Sequence, residues 1–211
     1  MECLFLYGGA DNKRDNFQNM FWRKGEGQMI CISHLLPDEE MKEFTQKYGT
    51  GIESIYFSIS DNLDHLSETV ENYRKKMETM GTDALILHGP FLDINPCAYD
   101  SLVREVTMKR FSQCYEAGVL LGAGKIVFHS GMNPYVYYKE SWAENLAPYV
   151  THVHVHDNCG DRDSHIGLGK GNLPWKEVLS FLPENEQRTW TVECMKKADV
   201  QACLDALHVE K

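Results

Sequence analysis

Short apolar runs alternate with helix-length amphipathic segments along most of this chain, and that rhythm limits what it can fold into. Met29–Ser33, Ile52–Ser58, Ala84–His88, Lys125–His129, Val150–His156 and Arg188–Glu193 read as strands. Between and after them the pattern predicts helices over 37–48, 66–80, 101–121, around 137–146, from 174 to about 181, and over 198–207. The first opens on Asp38-Glu39-Glu40 and stops at Gly49, which suits the helix dipole and a glycine C-terminal cap. Alternation of strand and helix implies parallel strands joined by right-handed crossovers. The runs ALIL and KIVF are apolar throughout, as strands covered on both faces are. His88, His129, His154 and Glu193 each stand at or near the C-terminal end of a strand. In an open sheet they would straggle along one edge, whereas in a barrel they converge on one mouth.

The expected fold is therefore α/β, a TIM-barrel-like (β/α) repeat, incomplete, with about six parallel strands. Residues 29–211 form this domain. Residues 1–28, with Gly8-Gly9, a charged stretch and Phe17, Met20, Phe21 and Trp22, read as an N-terminal extension without assigned chemistry.

The densest chemistry lies in Thr151–Gly171, THVHVHDNCGDRDSHIGLGKG. His152, His154 and His156 alternate with Val153 and Val155, so the three imidazoles share one strand face. Asp163 and His165 follow on a loop. Imidazole and carboxylate converging at a strand end is how a divalent metal is held. His152 lies one layer deeper and reads as structural, as does His34. Glu193 ends an apolar strand, where a lone carboxylate is costly without a cation. Gly169-Lys170-Gly171 has the look of a phosphate-cradling turn, with Lys170 placed for an anionic substrate; a loop-to-helix connection explains the same glycines.

The net charge of −10 argues against a nucleic-acid partner, which would want a basic face. The seven cysteines are scattered without a CxxC, as in a cytoplasmic protein with reduced thiols. No apolar run reaches the length of a membrane span, and no membrane partner is expected.

Several segments resemble the xylose-isomerase-like TIM barrels, a group that includes sugar (phosphate) isomerases and epimerases and the endonuclease IV type of abasic-site nuclease. They are HGPFLDINP at 88–96, HSG at 129–131, HVHDN at 154–158, DRDSHIGLGKGNLPW at 161–175 and TVE at 191–193. The resemblance implies metal ligands at His88 and His129, at His154 and Glu193, and at Asp163 and His165. It implies Glu193 as an acid/base residue, and a divalent cofactor (Zn, Mn, Co or Mg). His156, Asp157 and Lys170 are the expected substrate contacts.

The family barrel has eight strands in about 250 residues. Here only Ser130–Tyr149 separates the fourth strand from the strand matching the family's seventh. An internal deletion near 141–147 would remove the fifth and sixth units, with a Glu, an Asp and a His that the family uses. Loss of two strands leaves two parallel edges to be covered, by a homo-oligomer for example. The leading expectation is a metal-dependent sugar (phosphate) isomerase/epimerase-like protein with weak activity. The alternatives are a zinc-dependent abasic-site endonuclease-like phosphodiesterase and a degenerate, non-catalytic metal-binding barrel.

Overall fold

The computed structural model describes residues 4–6, 29–96, 98–129, 151–160, 162–180 and 188–207. Among these residues the strands are β1 (Leu4–Leu6), β2 (Ile30–Ser33), β3 (Gly51–Ser54), β4 (Leu85–His88), β5 (Lys125–His129), β6 (His152–Val155) and β7 (Thr189–Val192). They form one sheet in the order β1-β5-β4-β3-β2-β7-β6. From β5 to β6 every pairing is parallel. The helices are α1 (Asp38–Tyr48), α2 (Ser60–Asp64), α3 (Leu66–Met80), α4 (Ser101–Leu121), α5 (Trp175–Ser180) and α6 (Lys197–Leu207). None is long and apolar enough to cross a membrane.

Helix positions follow their apolar spacing. On α3, Val70, Tyr73, Met77 and Met80 are buried, a stripe of three- and four-residue steps. Each large apolar side chain so buried contributes about 1.5–3 kcal/mol. Helix α1 ends as expected at Gly49, whose positive φ of 65° lets its N–H reach the Thr45 carbonyl at 2.9 Å. Outward residues of the parallel strands, including Ile32, Ile52, Leu85, Leu87 and Ile126, join the helices in the main core.

The inner face is different. Strand alternation and register place Cys31, Ser33, Glu53, Ile86, His88, Lys125, Val127, His129, His152, His154, Thr189 and Thr191 on one side of the sheet. The sheet curls around this side as a half-barrel. Lys125 Nζ, at the start of β5, donates to the Thr151 carbonyl and to Thr189 Oγ1, both at 3.0 Å, so the two ends of the parallel sheet meet through one side chain. Burial pulls the Lys125 ammonium down to about 8.

Two expectations change. The strand expected over Ile52–Ser58 stops at Ser54 and gives way to a 3₁₀ turn over Tyr56–Ser58. Ser54 Oγ accepts the Tyr56 N–H at 3.3 Å, and Ser58 Oγ donates to the His88 carbonyl at 2.9 Å, so both serines favour the turn. The second change concerns the edges. β1, from the extension given no role, pairs antiparallel with β5, setting Leu4 opposite His129 and Leu6 opposite Val127. The chain thus covers one of the two edges itself. The helix expected at 137–146 and the deletion placed near 141–147 lie outside the described residues.

Candidate metal centre

Six side chains carried the sequence expectation of metal binding, and the structure brings them to one rim as three contacting pairs. His88 ends β4 and His129 ends β5; their Nε2 atoms are 3.0 Å apart. His88 is buried, and its Nδ1 donates to the Gly89 carbonyl at 2.9 Å. That bond assigns the proton to Nδ1 and leaves the Nε2 lone pair facing inward, the tautomer a metal-binding histidine needs. Burial lowers the His88 pKa and favours the neutral ring. Phe91, on the loop after β4, packs its ring against both imidazoles at centroid distances of 5.0 Å.

His154, on β6, lies between two carboxylates. Its Nδ1 is 3.0 Å from Glu193 Oε2 and its Nε2 is 2.8 Å from Glu53 Oε1. Burial opposes charge on this ring, but the two acids outweigh it and raise His154 well above the ordinary imidazole range. Burial likewise pushes Glu193 up, and His154 overrides it, holding Glu193 at about 2. Without metal the centre is an imidazolium clamped between carboxylates.

The sequence reading missed Glu53. It is fully buried on β3, with Oε1 accepting from His154 Nε2, and Oε2 from His152 Nε2 at 3.1 Å and from Thr191 Oγ1 at 2.5 Å. Burial would raise its pKa, but His154 and His152 hold it well below the usual range. His152 Nδ1 meets Thr189 Oγ1 at 2.6 Å, which completes a buried network beneath the rim. The available signal was an acid inside the mostly apolar run GIESIYF. His34 plays the structural part expected of it, bound to Tyr73 and Asp38, both at 3.0 Å.

The third pair is Asp163 and His165, whose Oδ2 and Nε2 are 3.0 Å apart. His156 stands beside them, its Nε2 3.8 Å from Asp163 Oδ1.

Asp157 and Lys170, expected to meet substrate, are occupied within the protein. Asp157 is fully buried, and its carboxylate accepts the backbone N–H groups of Asn158, Gly169, Gly171 and Leu173 at 2.8–3.1 Å. Burial pushes this acid up; the four amides outweigh that and keep it below the ordinary range. The amides of the Gly169-Lys170-Gly171 turn that would cradle a phosphate therefore already hold a carboxylate. A Cβ at position 171 would overlap the Asn158 carbonyl oxygen, so only glycine fits there. Lys170 Nζ is 2.6 Å from Asp199 Oδ1.

Two sets of donor atoms at the rim each fall within 4.8 Å of one another: His88, His154 and Glu193, and His156, His165 and Glu193. Glu53, His152 and His154 form a third such set beneath them. Imidazole with carboxylate suits zinc and its first-row neighbours. The residues present fit a divalent cation by this donor chemistry and by the lone pair of His88.

No protein-family model matches the chain. It is 28% identical over 126 residues to the uncharacterized protein MJ1311 of Methanocaldococcus jannaschii, a match covering 60% of this chain and 40% of that relative. Among solved structures, the TTHB071 protein of Thermus thermophilus, soaked with ZnCl2, is similar with a TM-score of 0.62. Identity is 19%, and the match covers 88% of this chain and 99% of the other. A D-tagatose 3-epimerase-like protein gives a TM-score of 0.63 at 16% identity, covering 85% and 96%. At these identities the likeness concerns the fold, which is α/β and TIM-barrel-like, with six parallel strands.

Proposed function

We propose that this half-barrel is a divalent-metal protein of the sugar isomerase/epimerase type, with a slow or vestigial reaction. The observation that carries this reading is the convergence of His88, His154 and Glu193 donor atoms at the C-terminal ends of three parallel strands. That is where active sites of closed β/α barrels form. His88 Nε2, His154 Nδ1 and Glu193 would hold the ion, with His129 alongside His88. A bound divalent ion would polarise adjacent carbonyl and hydroxyl oxygens of a sugar or sugar phosphate. Phe91, partly exposed beside His88 and His129, offers an apolar ring for the sugar's face.

Proton transfer is the weak point. Glu193 is the acid/base candidate, yet at about 2 it accepts a proton poorly at neutral pH. Glu53 is closed off by its three donors. The resemblance assigns the second carboxylate to the family's fifth strand, which has no counterpart among the described residues. Ketose epimerisation and aldose–ketose isomerisation, assayed with added manganese, cobalt or magnesium, should therefore give turnover near background although metal binds. Robust turnover would show that the proton-transfer machinery is complete and refute the slow-reaction reading. A metal-free protein under the same conditions would remove the metal reading itself.

One observation favours a second reading. The facing His88 and His129 nitrogens form a pair, and a single ion on His88, His154 and Glu193 leaves His129 without a ligand role. Zinc-dependent nicking of DNA at abasic sites would use it, and a nicking assay on abasic duplex decides the matter. The net charge of −10 weighs against this alternative.

A further inference from the structure

His156, His165 and Glu193 make a separate convergence on the same rim. Their rings and donor atoms are close: the two imidazole centroids are 4.4 Å apart. Nδ1 of His156 and Nδ1 of His165 are buried, and among the described residues neither makes a hydrogen bond of normal length and angle. Buried polar atoms are normally satisfied, so two such nitrogens on neighbouring imidazoles call for a ligand. The opposite nitrogens, both Nε2, face the two oxygens of Asp163 at 3.0 and 3.8 Å. The 3.0 Å contact is a hydrogen bond that assigns the His165 proton to Nε2 and its lone pair to Nδ1, the usual brace of a metal-bound histidine, whereas the 3.8 Å approach to His156 is an ion-pair distance alone. His165 also holds a left-handed backbone, φ 46°, which non-glycine residues rarely adopt and which clusters at ligand-binding positions.

We propose that His156 Nδ1, His165 Nδ1 and Glu193 hold a divalent cation of their own, braced by Asp163, and that Glu193 bridges it to the cation at His88 and His154. The bridge rests on the metal reading of the first site. Glu193 belongs to both donor sets, and a carboxylate has two oxygens to share. Oε2 already faces His154 at 3.0 Å. In this arrangement His156 is a ligand instead of a substrate contact, and Asp163 orients the His165 imidazole instead of binding metal. Two imidazoles and one carboxylate favour first-row transition ions such as zinc over calcium or magnesium. The paired centre uses none of the residues that the resemblance places in the family's fifth and sixth strands.

The test uses the full chain, stripped with EDTA and titrated with Mn²⁺. Two ions per chain by elemental analysis, and the EPR spectrum of a spin-coupled manganese pair at two equivalents, are expected. His156→Ala should reduce binding to one ion and abolish the coupled signal. Asp163→Asn should weaken the second ion by about 10- to 100-fold. One ion per chain, unaffected by His156→Ala, overturns the paired centre while leaving the His88–His154–Glu193 site standing. Two uncoupled ions overturn the bridge, and no bound ion overturns both sites. The wild-type titration and spectrum need no variant, so a misfolded variant leaves the outcome decidable.

Discussion

Glu53→Ala should destabilise the metal-free protein more than any other single change at the rim. The carboxylate is fully buried and accepts three bonds, from His152, His154 and Thr191. Its loss leaves three donors buried without an acceptor, and leaves the His154 imidazolium with Glu193 as its remaining carboxylate. Part of that cost is returned, because burying a carboxylate is itself unfavourable. Removing one partner of a buried pair costs about 3–5 kcal/mol net. At about 2–4 °C per kcal/mol for a chain of this length, the melting temperature should fall by roughly 6–20 °C. Glu53→Gln keeps the shape and one acceptor oxygen, and should lose roughly half as much. Thermal unfolding of the three proteins in EDTA, followed by circular dichroism, measures this. An alanine variant melting within about 2 °C of the wild type would refute the claim that this network holds the half-barrel together.

Other expectations follow from the same geometry. His154 lies above its ordinary 6.5 when folded, so its contribution is full below pH 6.5 and fades as pH rises through the raised value. Glu193 lies at about 2 against 4.5, so its contribution is full above pH 4.5 and fades as pH falls toward 2. The metal-free stability lost in Glu193→Gln should therefore be greatest between pH 4.5 and 6.5, and urea titrations across pH that give a flat difference contradict the pairing. Metal affinity should rise with pH, because binding displaces the His154 Nδ1 proton; calorimetry showing no proton release argues against His154 as a ligand. Asp157→Ala removes one acceptor from four amides and should cost about 2–4 kcal/mol, with faster hydrogen exchange at Gly169, Gly171 and Leu173. Gly171→Ala should open the same loop, since its Cβ would press on the Asn158 oxygen and the Asp157 carboxylate; an unchanged exchange pattern would show that the loop has slack.

The parts of this architecture that were legible in the sequence are those fixed by local pattern. Apolar runs ending in His88 and His129, and an alternating strand with His154 near its end, announced parallel strands with their polar ends together, and the parallel pairing agrees. Glu53 was harder to see, because period-two alternation says which face an acid occupies but not which distant imidazoles meet it. Its partners lie 99 and 101 residues away. Asp157 shows the reverse problem: beside a histidine strand it looks like chemistry, whereas the backbone amides of a returning loop claim it. The pairing of β1 with β5 was equally invisible, since three residues, Leu4–Leu6, carry too little pattern to name a partner. The break at Ser54 was concealed by Ile55, Tyr56 and Phe57, which read as strand, although Tyr56 and Phe57 turn to pack against Tyr73.

Anomalous scattering from a crystal of the full chain grown with manganese tests the central claim most directly. A peak bonded to His88, His154 and Glu193 at the mouth of the half-barrel is the expected result. No peak at that mouth, or ions held only by surface carboxylates, would contradict it.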